Sequence, residues 1–508
     1  MNSVYSSILF IKIEYSFQTI EFPHKNQQKS IFPTLGMEIE EIYDDEAISG
    51  TKNSLSTHSI DREAPKSQGS DSSKDDEAPE LGPDGLPIDK KHHSDSSAEN
   101  NDDGEPPPLR IKRFATIMNI MNSLLGAGIL SVPHAISYCG LVPSLIMLVI
   151  MAVLSHIGTV MTMKLAHREG SDSLDGLTAA ILKKPGAIAI SICSMLFCIS
   201  AMVAYLVIGY GNIISWFDGG GIVIGSNLWQ RALIVLIYSL ILPVAMTFPR
   251  DIRFLAPFSG ATVFSIVFFI VAMCIKAGMR LPYPKGEGVS ITVSKFDMGI
   301  FSAISIYGLA FALPVCILPL IKPYNPDTKK RSLVSLLSCL ICFICVLIPG
   351  VLGYCLFGDD VADIVLDDFS SKDILIIITR IGFFIVVTFS YPCIGQSVMA
   401  SWGALIFGDS DQGNLPWSKR WLVLLLTNII PVGFAIFLPN AGPALSIGGA
   451  FGGCLVDFFF PALMWIVISK KKWYHWQNIL CILFAIFGIV SCAIATYQAI
   501  VDAIVAFK

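Results

Sequence analysis

The sequence predicts an all-α polytopic membrane protein, and three observations carry that reading. Of 508 residues, 53% are hydrophobic and only 15% are charged, against about 25% charged in soluble domains. The apolar residues come in runs long enough to cross a bilayer, which takes ~20 mostly apolar residues in a helix. The charges collect before and between those runs. This composition excludes a water-soluble enzyme. With a formal net charge of −5 and no basic stripe, it gives nucleic acid nothing to bind.

In chain order, residues 1–109 come first, with 22 acids against 9 Lys/Arg, while residues 110–508 carry 18 acids against 26. Glu38 to Pro108 is dominated by Ser, Asp, Glu, Lys, Pro and Gly, with Tyr43 its only aromatic residue. Such a stretch buries too little apolar surface to offset chain entropy. Residues 1–109 therefore read as an acidic, disordered tail able to meet a cytoplasmic partner, and 110–508 as the membrane domain. Met1 to Ile20 lacks the basic start and compact apolar core of a signal peptide.

Eleven spans follow, at about 114–137, 141–165, 187–214, 229–248, 255–277, 297–321, 332–355, 373–401, 419–438, 442–468 and 476–503. Numbered so, one side collects eighteen Lys/Arg, from Arg110, Lys112 and Arg113 through Lys329 to Arg331 and on to Lys470 to Lys472. The other side has seven: Arg231, Lys276, Arg280, Lys285, Lys295, Lys372 and Lys508. The positive-inside bias puts the N-terminus in the cytoplasm and the C-terminus outside it. All 13 cysteines lie beyond residue 138, nearly all inside apolar runs. They read as small buried hydrophobes, including the C-x-x-C-like Cys339, Cys342 and Cys345.

Two spans are interrupted in matching places. Span 1 reads N-I-M-N-S-L-L-G-A-G-I-L-S-V-P, with Gly126 and Gly128 around Ala127 and then Pro133. Five spans later, span 6 reads F-S-A-I-S-I-Y-G-L-A-F-A-L-P-V-C-I-L-P, with Ser305, Tyr307, Gly308 and Ala310 ahead of Pro314 and Pro319. Opened backbone inside a bilayer is tolerated where it lines a cavity. Two interrupted spans five helices apart are the mark of an inverted 5+5 repeat, with a transport site where half-helix ends meet. Gly448, Gly449, Gly452 and Gly453 in span 10 read instead as close-packing glycines.

The N-x-x-x-G-x-G-I-L-x-x-P run from Asn122 to Pro133 resembles the first helix of the amino acid/auxin permease family, which includes sodium-coupled neutral and vacuolar amino acid transporters. The resemblance covers roughly residues 110–503. It implies a LeuT-like fold and secondary active transport of amino acids. It also implies that Asn122 lies near a coupling-ion site. The backbone from Leu125 to Gly128 would then hold the substrate carboxylate and part of the ion shell. In span 8, T-R-I-G-F-F-I-V-V-T-F-S-Y-P resembles the stretch that gives the sodium-coupled members a hydroxyl, pointing to Ser390 with Thr388 as the alternative. A sodium ion would accordingly sit at Asn122, Leu125 and Ser390.

Tyr307 and Tyr205 are candidates to wall the pocket. Asp457, in mid-span within G-G-C-L-V-D-F-F-F-P, is a carboxyl where an unpaired charge is costly and functional by default. It has two readings, a proton carrier or a structural partner for a neighbouring helix. Arg380 reaches either the outer face or an acid of the Asp359 to Asp373 loop. His134 and His156 read first as packing histidines. The chain has no phosphate-cradling G-x-x-x-x-G-K-[ST], so ATP-driven pumping is not expected, and neither is any cofactor beyond a coupling ion.

The expectation is a symporter of small neutral amino acids working by alternating access, with a proton as first choice of coupling ion and sodium second. An amino-acid sensor signalling through the tail is the alternative. Plasma membrane and vacuolar or lysosomal membrane both fit.

Overall fold

The computed structural model describes residues 111–225, 227–250, 258–279, 289–408, 415–469 and 471–506. The acidic stretch 1–109 lies outside them. So do Arg110, Arg253, Arg280, Lys285, Lys470 and Lys508 of the flanking charges.

Among the described residues the regular elements are all helical. The first span is α1 (Arg113–Leu124) and α2 (Gly128–Cys139), bent by 56° at the glycines. α3 (Leu141–Glu169) ends on Gly170, whose φ of +66° suits a residue without a Cβ. α4 (Leu174–Gly219) starts where the Ser173 hydroxyl accepts the Gly176 N–H. It begins earlier than the predicted 187 because a short helical piece from Leu174 joins it across a kink at Lys183 (φ 61°, ψ −166°), just before Pro185. α5 (Leu228–Ile241) and α6 (Phe258–Gly278) follow.

Where the sequence predicts span 6 there are two short helices, α7 (Gly299–Ala310) and α8 (Ile317–Ile321). α9 (Thr328–Phe357) is capped by Asp327, and α10 (Ile374–Phe407) by Asp373 at one end and Gly408 at the other. α11 (Trp417–Phe437) follows. Then come α12 (Gly442–Gly448), a π-helical stretch Gly449–Phe459 and α13 (Phe460–Ile468), which together form one rod. α14 (Trp476–Ala506) is the last.

Nine described helices are long and apolar enough to cross a membrane, and the bent α1–α2 pair makes ten. α7 alone, at 12 residues, falls short of the ~17–25 a crossing requires. Its path is still directional. At its start, a Cβ on Gly299 would lie 3.2 Å from the Tyr138 carbonyl near the end of α2. Just past α8, the Pro323 carbonyl accepts the Ile111 N–H ahead of α1 at 2.9 Å. α7, the break and α8 therefore run antiparallel to α1 and α2.

α2 packs between α7 and α9, α7 against the π-stretch and α14, and α10 against α4 and α6. The outward faces carry large exposed apolar side chains such as Leu233, Ile237 and Leu240 on α5, and Leu422, Leu425 and Ile429 on α11. Apolar surface of that extent suits contact with lipid tails.

Candidate functional site

The two breaks touch. At Leu125 the backbone leaves the helix (φ −81°, ψ 77°), and the Gly126 N–H bonds only two residues back, to Leu124 at 3.0 Å. Helical winding resumes at Gly128, so the first N–H groups of α2 have no acceptor of their own within the helix. In the second break Leu313 precedes Pro314, whose ring disfavours α geometry at the residue before it. The Leu313 N–H turns to the Phe311 carbonyl at 2.6 Å. The Ser155 hydroxyl of α3 donates to that same Phe311 carbonyl. A Cβ on Gly128 would meet the Ala310 Cα at 3.7 Å, which fixes how closely the breaks approach.

A cavity of about 380 Å³ opens at this junction. Gly126, Ala127 and Gly128 form one wall, and Tyr205 with Phe197 and Cys198 of α4 form another. Ala312, Val315 and Cys316 of the second break face them. The mouth is at Asp172, Ser173 and Asp175, in and just after the α3–α4 turn, on the side of the bundle where α1 begins. The lining around the breaks is apolar or neutral, and its two carboxylates stand at the mouth.

The expected residues divide into those at the cavity and those away from it. Gly126, Ala127, Gly128 and Tyr205 line it, and Ala310 backs it. Ser305, Tyr307 and Gly308 do not line it. α7 stays wound through Ala310, so the opening begins later than the sequence suggested, at Phe311. The Ser305 carbonyl lies against Gly449, and a Cβ on Gly308 would sit 3.2 Å from the Gly453 Cα. These contacts give the span 10 glycines their role as close-packing positions. The Tyr307 side chain is fully buried and faces Ser144 and Cys139 near the start of α3.

Asn122 sits one turn before the first break, its Oδ1 buried without a hydrogen bond, and Leu125 is buried beside it. Thr388 is engaged elsewhere, its hydroxyl 3.0 Å from the Tyr238 hydroxyl of α5. Ser390 is half-buried and lies on the α10 face that continues, at helical spacing, through Ile394, Ser397 and Ser401 of the cavity lining. Asp457 is fully buried in the π-stretch, and among the described residues it has no ion-pair partner. The Ser155 hydroxyl and the Val315 N–H of the second break face it. Leaving an ionised carboxylate so enclosed costs several kcal/mol. Among the described residues no His, Cys, Asp or Glu group of three could hold a metal ion, and Cys339, Cys342 and Cys345 are free thiols.

Sequence reasoning missed Phe197, Cys198, Cys393 and Ser397. Around Phe197 and Cys198 the run M-L-F-C-I has no polar residue to mark which face looks inward. On α10 the signal available was the spacing of Ser390, Ser397 and Ser401 along one face.

The family model described as transmembrane amino acid transporter protein matches residues 110–501. The amino acid transporter AVT6E of Arabidopsis thaliana is 25% identical over 71% of this chain and 76% of its own. The sodium-coupled neutral amino acid symporter 2 of Danio rerio is 22% identical over 70% of this chain and 75% of its own. Among solved structures, MhsT in complex with L-phenylalanine aligns at a TM-score of 0.47 and 14% identity, covering 78% of this chain and 100% of that one.

Proposed function

The chain belongs to the transmembrane amino acid transporter family, whose members are transporters rather than enzymes, and from that premise we propose that it carries neutral amino acids across a membrane by alternating access. The observation that carries this reading is the meeting of two helix breaks at a cavity open on one side. The α7–break–α8 path supplies an eleventh span, in a LeuT-like 5+5 inverted repeat with its N-terminus and the 1–109 tail in the cytoplasm.

In this reading the N–H groups of Ala127 and Gly128, at the positive end of α2, take the substrate carboxylate, with Gly126 giving the backbone room to approach it. Its ammonium faces carbonyls freed at the breaks. The substrate's side chain lies against Phe197, Ala312 and Val315, with no charged group there to pair with one of its own. The coupling ion is a proton on Asp457. The carboxyl lies against the second break through Ser155, so a change in its charge acts directly on the segment that has to move. A sodium ion at Asn122, the Leu125 carbonyl and Ser390 is the second reading. The buried, unpartnered Asn122 Oδ1 favours it.

The test is uptake of a labelled amino acid panel into proteoliposomes under an imposed proton gradient or an imposed sodium gradient. Concentrative uptake of neutral amino acids under the proton gradient alone is the expected result. A sodium requirement would move the coupling site to Asn122. Saturable binding without flux under either gradient would overturn transport.

A further inference from the structure

On the face opposite the cavity mouth the α9–α10 segment is tied to α2, and one of the ties is a histidine. His134 of α2 places Nδ1 2.9 Å from the Val361 carbonyl and Nε2 3.2 Å from the Asp363 carboxylate. A neutral imidazole has one N–H, so it can donate to only one of these two acceptors. The imidazolium donates to both. Its ring meets Tyr138 edge-on, with the Tyr138 hydroxyl 3.2 Å from Nε2.

The charged groups around it are carboxylates. Asp363 comes from the segment, and Asp502 of α14 faces both Tyr138 and His134. α9 packs Gly353 on Pro133, and its neighbouring Tyr354 is bound to Asp359. α12 sets Gly442 against the Asp363 carboxylate. Near the start of α7, Asp297 is paired with Lys295. The His134 and Asp363 side chains are 19% and 20% exposed, so protons from that side of the membrane reach them. The next tie along the segment is of another kind: Arg380 donates to the Leu366 carbonyl at 2.6 Å and to Asp367 at 3.2 Å, and arginine keeps its charge at any working pH.

We propose that His134 is a regulatory proton-binding site, which when protonated latches residues 361–363 onto α2 and when neutral releases Asp363. Histidine is the side chain that changes charge between about pH 5 and 8. The latch lies on the face that has to open when the cavity closes at its present mouth. Taken with the transporter reading above, on which this consequence rests, acid on that face holds the molecule in the conformation described.

The test is hydrogen exchange of the full chain in lipid nanodiscs at pH 5.5 and 7.5, corrected for the intrinsic pH dependence of exchange. Residues 358–365 are expected to be about two- to fivefold better protected at pH 5.5, the factor for one partly exposed ion pair. The Arg380-tied residues beyond them serve as an internal control. His134→Gln and Asp363→Asn each remove one half of the latch, and either is expected to abolish the difference. If one variant fails to fold, the other decides. A wild-type pH difference that persists in the variants overturns the proposal, as does its absence from the wild type. Because the readout is conformational, failure of transport in the uptake assay leaves this result standing, and the reverse holds too.

Discussion

A methyl group on Gly126 would lie 2.7 Å from the hydroxyl oxygen of Tyr205. The next nearest atom, the Tyr205 Cζ, is at 3.7 Å, an ordinary contact. The hydroxyl alone therefore stands in the way. Gly126→Ala is expected to fold, displace the phenol and lower uptake about tenfold or more, since small misplacements in a site are amplified in rate. Tyr205→Phe in the same chain removes the clashing atom. The double variant should recover part of the loss, with an interaction of about 0.5–3 kcal/mol between the positions. A double variant no better than Gly126→Ala would place the defect in the backbone.

Asp457→Asn keeps the shape of the side chain and removes its proton. Concentrative uptake under a proton gradient should disappear, while exchange of labelled for unlabelled substrate across the membrane continues. Loss of both would assign Asp457 to structure. Retention of both would remove it from coupling.

Thr388 donates to or accepts from Tyr238 at 3.0 Å, which commits its hydroxyl to packing between α10 and α5. Thr388→Val should cost about 1 kcal/mol, the usual net worth of such a bond, seen as a lower melting temperature in detergent. The ion requirement of uptake should not change. A raised half-saturating ion concentration would return Thr388 to the ion site.

Gly449 and Gly433 offer a contrast within the membrane domain. A Cβ on Gly449 would run into the Ser305 carbonyl, backbone against backbone, whereas nothing lies within 4 Å of one on Gly433. Gly449→Ala should destabilise by about 1–3 kcal/mol or more, as overpacking does. Gly433→Ala, inside α11, should be neutral or stabilise by up to about 1 kcal/mol through helix propensity. Equal melting temperatures for the two variants would contradict the packing of α7 on the π-stretch.

The first break was legible because its chemistry is local: two glycines around one small residue are enough to unwind a helix. The second was legible only to within a turn. Gly308 looked like a breaker, but it serves instead to let Gly453 approach, and the unwinding starts at Phe311, just ahead of Leu313 and Pro314. Asp457 was legible as a costly carboxyl, but nothing along the chain revealed that Ser155 and Val315 would face it. The far walls were not readable, since Cys393 and Cys198 resemble every other small apolar residue in their helices. His134 looked like a packing residue because its partners, Val361 and Asp363, lie more than 200 positions away.

On the alternating-access reading, a cavity open beside Asp172 and Asp175 shows its binding surface to one compartment at a time. Ligand arriving from the other compartment meets only the molecules that have switched over. Its apparent dissociation constant rises in inverse proportion to their fraction: if about one molecule in a hundred faces that way, affinity measured there is about a hundredfold weaker. A difference in affinity between the two sides would then report how the population is divided, with the contacts to the ligand the same from either side.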